Sequence, residues 1–296
     1  MVQIILALIV VVNGLFAYRF FSDYMKHRKE TWAEPGNSVG LAIWGAVCFF
    51  LSTFGIPDFA LSTIFYRLKK WCSDENLPGT LNTECAIPVA VMALCYISAI
   101  EVDRMTLLLL IVSQMVGSYF GPRLVVKLPV RGIRLFVGFG LMAAAFFIIA
   151  GKFGILPSGG SATRLTGGKL ALGMALMTIY GALNNAGIGS YAPTMATIYA
   201  LGLNPAVTFP VMMGACTFSV PIGAMEFVRL GRYSRKITLF TSIFGIVGVL
   251  VAVFIVKSLD TAMLLWIVAA VIFVASVQLL YTTLKTPAEK ARAAVQ

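Results

Sequence analysis

Residues 55–60, Gly55-Ile56-Pro57-Asp58-Phe59-Ala60, interrupt an apolar stretch that spans positions 39–68. A second apolar stretch, 169–202, is interrupted by Asn184-Asn185-Ala186-Gly187-Ile188-Gly189-Ser190. Both stretches exceed the ~20 residues that a helix needs to cross a bilayer, and both carry glycine or proline near their middle. We therefore predict a broken helix at each of these two places.

The sequence around the two breaks repeats. Residues 55–60 align with Gly187-Ile188-Gly189-Ser190-Tyr191-Ala192, residues 82–88 resemble 204–210, and residues 99–101 resemble 224–226. Each half therefore contains one broken segment followed by three uninterrupted apolar segments. The first apolar segment, 2–21, stands outside this repeat.

The composition places the chain in a membrane. Of its 296 residues, 59% are hydrophobic and 12% are charged, with a mean hydropathy of +0.90. Soluble domains carry roughly 25% charged residues. The net charge of +11 does not indicate a nucleic-acid partner, because the basic residues lie mostly between apolar segments, where the positive-inside rule and contact with anionic lipid explain them.

These patterns predict an all-α polytopic membrane protein with two inverted-topology repeats. Each repeat consists of a broken, re-entrant helix and three transmembrane helices, and one extra helix precedes them. The first helix is interpreted as retained rather than cleaved, since no signal-peptidase-like site precedes the basic run 26–29. The predicted divisions are an N-terminal helix and basic loop (1–35), a first repeat (36–155), a linker (156–168), a second repeat (169–284) and a cytoplasmic tail (285–296).

The distribution of basic residues predicts the orientation. With re-entrant breaks and the N-terminus outside, cytoplasmic stretches hold 18 of the 23 Lys and Arg residues. If all nine segments crossed instead, the best division would be 15 to 8. The re-entrant arrangement gives each half three crossings, which inverts one half relative to the other, as in many secondary transporters. We expect a multi-pass protein of the cell inner membrane with a cytoplasmic C-terminus.

Helix breaks at membrane depth predict a binding site for a small anion. The first turn of a half-helix has free N–H groups and the positive end of the helix dipole. Irregular backbone at that depth is tolerated mainly around a cavity, although simple kinks packed against neighbouring helices remain an alternative. The predicted substrate-binding residues lie at the two breaks and at the following helix starts: Pro57, Asp58, Asn82, Thr83, Asn184, Asn185, Gly187, Gly189, Ser190 and Thr208.

Two acidic residues are candidates for ion coupling. Asp58 and Glu84 are the carboxyl groups nearest the predicted membrane interior, where an ionisable residue is costly and suggests a function. Either could bind a proton or assist sodium coupling, and either could instead cap a helix N-terminus. The asparagines Asn82 and Asn204 are predicted to lie at helix starts, where Asn is a good cap. No metal, cofactor or catalytic motif is predicted, and the five cysteines are interpreted as small core residues.

Several short motifs resemble a known family. They are Gly117-Ser118-Tyr119-Phe120-Gly121-Pro122-Arg123-Leu124, Leu128-Pro129, Ile133-Arg134, Phe136-Val137-Gly138, the turn Ala99-Ile100-Glu101-Val102-Asp103, and Gly187-Ile188-Gly189 followed by Pro193. Over about residues 39–284 the chain resembles the sulfite exporter TauE/SafE family, also called the 4-toluenesulfonate uptake permease family. It differs from many members at the first break, which carries Pro57-Asp58 instead of a glycine cluster.

The resemblance implies two pseudo-symmetric halves and transport of sulfite, sulfoacetate or another organic anion. The leading hypothesis is a secondary transporter coupled to an ion gradient. An integral membrane enzyme or assembly factor is the first alternative, and it is disfavoured by the lack of a nucleophile motif or histidine cluster. An anion channel is the second, and few polar side chains are available to line its pore.

Overall fold

A computed structural model describes residues 2–56, 58–73, 75–125, 130–153, 160–184, 190–258 and 261–285 of the chain. These residues are almost entirely helical. The helices are α1 (Val2–Lys26), α2 (Arg28–Ala33), α3 (Ser38–Thr53), α4 (Asp58–Lys69), α5 (Leu77–Ala99), α6 (Arg104–Val125), α7 (Val130–Lys152), α8 (Gly167–Asn184), α9 (Tyr191–Ala200), α10 (Thr208–Leu230), α11 (Arg235–Ser258) and α12 (Thr261–Lys285), with a short 3-10 helix at Pro205–Val207.

Both long apolar stretches consist of two helices. The first ends its initial helix at Thr53 and resumes at Asp58, and Gly55 between them adopts a positive φ of 95° that favours glycine. The second stretch ends α8 at Asn184 and resumes as α9 directly after Ser190. Residues 185–189, which form most of the second break, lie outside the described residues.

The start of α5 differs from the prediction. The helix begins at Leu77, with Pro78 in its first turn, where proline is favoured. Asn82 therefore lies inside the helix, and its side-chain amide donates to the Pro78 carbonyl oxygen at 2.9 Å. The prediction that Asn82 begins this helix is wrong. The corresponding prediction for Asn204 is confirmed, because its side chain accepts a hydrogen bond from the Ala206 N–H at 2.9 Å.

Five of the described helices are long and apolar enough to cross a membrane. They are Gln3–Lys26, Leu77–Ser98, Pro205–Leu230, Arg235–Ile255 and Trp266–Lys285. Shorter apolar helices include Ser38–Thr53 and Arg104–Ser118. Many large apolar side chains on these helices are exposed, as expected where lipid is the solvent. The predicted all-α polytopic membrane fold is confirmed, whereas the inverted repeats and the orientation of the termini stay predictions.

The chain divides into two compact units. Unit 1 contains Met1–Ala99 and Cys216–Ser258, and unit 2 contains Ile100–Ala215 and Leu259–Gln296. Each unit thus combines helices from both predicted halves, and α10 contributes its first part to unit 2 and its remainder to unit 1. The predicted boundaries of the two repeats are sequence divisions, and they remain predictions.

Unit 1 is built around α11, which packs against α3 and α5, while α1 packs against α5. The contact between α3 and α11 is close. A Cβ added at Gly248 would overlap the Ala46 carbonyl oxygen, and one at Gly45 would lie 3.1 Å from the Thr241 Cα. The hydroxyls of Thr83 and Thr238 are 2.7 Å apart and join α5 to α11. Small residues of this kind let membrane helices approach closely.

Unit 2 contains a similar close crossing between α6 and α8, together with a pair formed by α7 and α12. A Cβ at Gly117 would overlap the Thr178 carbonyl oxygen, and one at Gly181 would overlap the Gln114 carbonyl oxygen. The Ser276 hydroxyl donates to the Gly138 carbonyl oxygen at 2.8 Å and joins α12 to α7.

The helices α6 and α11 have matching features at matching positions. Gly117 and Gly248 lie equally far from the first residues of their helices, Arg104 and Arg235. The residue before each helix is an N-cap: Asp103 accepts from the Thr106 N–H at 2.9 Å, and Ser234 accepts from the Ile237 N–H at 3.2 Å. The Thr106 hydrogen bond also lowers the pKa of the Asp103 carboxyl group.

Candidate functional site

The first break places a carboxyl group at a buried helix start in unit 1. Asp58 is the first residue of α4 and is 5% exposed. Its carboxyl group accepts hydrogen bonds from its own backbone N–H and from that of Phe59. Its Oδ2 atom has no hydrogen-bond partner among the described residues. Asp58 therefore occupies part of the N–H cluster that begins α4.

A second carboxyl group lies in the same unit. Glu84 in α5 is fully buried, and its Oε2 atom accepts a hydrogen bond from the Tyr66 hydroxyl of α4. The Ser62 hydroxyl, one helical turn before Tyr66, also hydrogen-bonds to Glu84 and lies 3.5 Å from the Cys48 Sγ. The Oε1 atom of Glu84 has no partner among the described residues. Side chains of α4 and α5, together with Cys48 of α3, thus form one buried polar cluster.

The charges around this cluster are of one sign. Asp58 and Glu84 interact electrostatically with each other, and the thiols of Cys48 and Cys85 lie near them. No lysine, arginine or histidine of the described chain is among the groups that act on either carboxyl group. A buried charge without an opposite partner costs several kcal/mol or more. Binding of a proton or another cation would remove this cost.

The second break, in unit 2, has a neutral polar lining. Ser190 directly precedes α9 and is 2% exposed. Its hydroxyl accepts a hydrogen bond from the Gln114 side-chain amide of α6 at 3.3 Å, and Gln114 is 1% exposed. One side of α9 is also tied to α8, since the hydroxyls of Tyr180 and Thr197 are 2.7 Å apart. The start of α9 therefore combines buried hydroxyl and amide groups.

The predicted site residues divide between the two units. Unit 1 contains Asp58, Asn82, Thr83 and Glu84, and unit 2 contains Asn184, Ser190 and Thr208. The hydroxyl of Thr83 is engaged with Thr238, whereas the buried Thr208 hydroxyl, at the start of α10, has no partner among the described atoms. Pro57, Asn185, Gly187 and Gly189 lie outside the described residues, as does the side chain of Asn184.

Several polar residues of these clusters were not predicted. Tyr66, Ser62 and Gln114 became relevant only through contacts between helices. Asn13 is another example, because its amide in α1 donates to the Thr217 hydroxyl at 3.0 Å. A polar amide within an otherwise apolar segment was the available sequence signal for Asn13 and Gln114.

The described part of the chain contains no group of three or more His, Cys, Asp or Glu side chains arranged to hold a metal ion. The cysteines, which include Cys48, Cys85 and Cys216 in unit 1, are free thiols.

Comparison with known proteins identifies the family from the first half of the chain. The family model for the sulfite exporter TauE/SafE family matches residues 1–148, half of the 296 residues. The match contains the first break, Asp58, Glu84 and the motif that begins at Gly117. No curated protein and no solved structure matches the chain. The chain belongs to the sulfite exporter TauE/SafE family, whose members transport sulfite- and sulfonate-type anions across membranes.

Proposed function

We propose that this protein is a secondary transporter for a small organic or sulfur-containing anion, such as sulfite or the sulfonate sulfoacetate. It works in the cytoplasmic membrane and is coupled to an ion gradient. The observation that carries the proposal is the second break, where a helix start coincides with the buried, uncharged Ser190 and Gln114. Family membership supports the class of substrate.

The chemistry of a sulfonate or sulfite group suits this break. Its oxygens accept several hydrogen bonds, and the start of α9 offers backbone N–H groups together with the positive end of the helix dipole. The serine hydroxyl and glutamine amide can donate to such oxygens without fixing a full positive charge in the site. Asn184, Asn185, Gly187, Gly189 and Thr208 are further candidates, because glycine permits close approach and the other side chains are hydrogen-bond donors.

The first break is less suited to hold the anion alone. Asp58 already accepts backbone N–H groups at the start of α4, and its negative charge would repel an anionic substrate. We therefore assign the main anion contacts to the second break, while Pro57, Asn82 and Thr83 stay proposed substrate-binding residues of the first half. The coupling candidates are Asp58 and Glu84.

Transport follows an alternating-access scheme in this proposal. The two sequence halves act as inverted repeats, and their rearrangement exposes the anion first to one side of the membrane and then to the other. The matched crossings at Gly117 and Gly248, and the matched caps at Asp103 and Ser234, support the internal repeat. We place the N-terminus outside and the C-terminus in the cytoplasm, as the basic residues indicate.

The test is flux of radiolabelled sulfite and sulfoacetate into vesicles that contain the purified protein. Ser190→Leu removes the hydroxyl and fills the start of α9 with apolar volume, so uptake should fall to the level of protein-free vesicles. Ser98→Leu, at an exposed serine near the end of α5, is the matched control and should retain uptake. Equal uptake by Ser190→Leu and the unaltered protein would refute the proposed site. Saturable uptake distinguishes a carrier from a channel.

A further inference from the structure

The two buried carboxyl groups of unit 1, Asp58 and Glu84, accept hydrogen bonds from different kinds of donor. Asp58 is bound by backbone N–H groups at the beginning of α4, where the helix dipole also favours a negative charge. Glu84 lies within α5 and has no backbone donor of this kind. Its described partners are the hydroxyls of Tyr66 and Ser62, which approach from α4.

The unpartnered oxygen atoms indicate what the cluster can bind. Glu84 Oε1 and Asp58 Oδ2 are both buried and lack hydrogen-bond partners among the described residues. Two negative charges so placed would repel each other and would both be desolvated. A single proton on one carboxyl group removes the repulsion and the desolvation cost of that group's charge. Asp58 is the group better held as an anion, so Glu84 is the group that takes the proton.

Among the described residues, no basic group acts on either carboxyl group. The titratable groups near the pair are Cys48 on α3, Tyr66 on α4, Cys85 on α5 and, next to Cys85, Cys216 on α10. Two basic residues of α11, Arg235 and Lys236, lie in its first turn. There Arg235 binds Asp23 of α1 at 2.6 Å, and Lys236 binds the Gly36 carbonyl oxygen at 2.7 Å.

We propose that Glu84 is the proton-binding residue that couples anion transport to a proton gradient. The proton binds at Oε1, so the hydrogen bond from Tyr66 to Oε2 persists in both protonation states. Tyr66 and Ser62 are positioning residues, and a negative charge on Asp58 makes a second charge on Glu84 unfavourable. This inference rests on the proposed transport function and adds the coupling ion and its site.

Coupling then has a simple charge balance. The proton enters from the more acidic side, converts the Glu84 carboxylate to the acid, and is released unchanged on the other side. One proton carried with one monovalent anion moves no net charge, whereas one proton carried with the doubly charged sulfoacetate moves one net negative charge. The proposed division of roles is that the neutral second break binds the anion and the acidic first break binds the proton.

The test compares downhill exchange with uphill uptake in reconstituted vesicles. Glu84→Gln keeps the size of the side chain and a hydrogen-bond acceptor for Tyr66, but it is permanently neutral. This variant should still exchange labelled anion across the membrane when no gradient is imposed. It should lose accumulation of anion driven by a pH gradient, and a pH-sensitive dye inside the vesicles should record no proton entry with the anion.

Controls separate this inference from the proposed function. Glu226→Gln, at an exposed glutamate paired with Arg229, should retain both activities. If the unaltered protein moves no sulfite or sulfonate, the proposed function fails. If it moves the anion, but Glu84→Gln accumulates anion under a pH gradient as the unaltered protein does, only the proton site fails. Accumulation driven by a sodium gradient and not by a pH gradient would also overturn the proton site.

A second variant keeps the inference testable if Glu84→Gln does not fold. Tyr66→Phe removes the hydroxyl that donates to the ionised Glu84, so the pH of half-maximal uptake should move upward while maximal uptake persists. Tyr96→Phe is the matched control, because its buried hydroxyl in the same unit donates to the Thr53 carbonyl oxygen at 3.2 Å and not to Glu84. The same pH profile in Tyr66→Phe and Tyr96→Phe would contradict the assignment.

Discussion

Each of the two helix breaks separates two apolar helices, and the breaks differ in the charge at the start of the second helix. Each break ends one short apolar helix and begins another with a buried polar residue, Asp58 in unit 1 and Ser190 in unit 2. Asp58 lies in a cluster with a second carboxyl group, whereas Ser190 bonds to the neutral Gln114. In our proposal the two breaks have two chemical roles, which are set by the side chain at the start of the second helix.

The largest effect is expected when an acidic residue is introduced at the second break, at the position that corresponds to Asp58 in the first. Ser190→Asp places a carboxylate at the start of α9, where it would take the N–H groups that we assign to the anion and would repel it. Uptake of sulfite and sulfoacetate should be lost. Ser190→Asn introduces a side chain of the same size as Asp but without a charge, and should retain measurable uptake in the same vesicle assay. Equal uptake by both variants would show that the charge at this position is irrelevant.

A smaller effect is expected from adding a methyl group at the close helix crossing that is found in each unit. Gly117→Ala and Gly248→Ala each force a Cβ into a backbone carbonyl group, and each should lower the free energy of unfolding by about 1–3 kcal/mol. Gly140→Ala and Gly14→Ala have open space around the added methyl group, and should raise stability by at most ~1 kcal/mol through helix propensity. Thermal unfolding in detergent measures all four.

An effect in only one of the two crossings would argue against the internal repeat. If Gly117→Ala destabilised the protein and Gly248→Ala did not, the matched positions in α6 and α11 would not be structurally equivalent.

The smallest effect concerns the N-cap of α6. Asp103→Ala should lower the free energy of unfolding by about 1 kcal/mol near neutral pH, because the Thr106 N–H loses its acceptor. The Asp103 pKa lies below its usual value in the folded protein, so its contribution is present above the unfolded pKa of about 4 and is lost as the pH falls through the folded pKa.

The pH dependence distinguishes charge from hydrogen bonding at this cap. The stability difference between the unaltered protein and Asp103→Ala should shrink in acid. Asp103→Ser supplies a neutral acceptor, as Ser234 does at the start of α11, and should restore most of the stability without that pH dependence. A difference that stays constant with pH would show that the carboxylate charge does not contribute.

The sequence allowed prediction of features that depend on local chemistry. The apolar segments, the break at Pro57-Asp58 and the capping role of Asn204 follow from composition, helix-breaking residues and side-chain reach. The helix α5 begins before its predicted start, because proline is accommodated in the first turn of a helix and the continuous apolar pattern begins only near Leu81.

Features that depend on tertiary packing could not be predicted. Tyr66 and Glu84 are distant in sequence, as are Gln114 and Ser190, and their hydrogen bonds form only after α4 meets α5 and α6 meets α8. The pairing of α3 with α11 likewise follows from the close approach at Gly248 and Ala46, which periodicity alone does not specify. Asp58 and Glu84 were predicted as coupling candidates, but their shared cluster and its hydroxyl donors were not.

Simultaneous recording of anion and proton entry tests the division of roles between the two breaks most directly. Vesicles with the unaltered protein, Glu84→Gln or Ser190→Leu would be given labelled sulfite or sulfoacetate while an internal dye reports pH. We predict coupled entry of both ions for the unaltered protein, anion exchange without proton entry for Glu84→Gln, and neither for Ser190→Leu. Proton entry with the anion in Glu84→Gln, or undiminished anion entry in Ser190→Leu, would contradict the account.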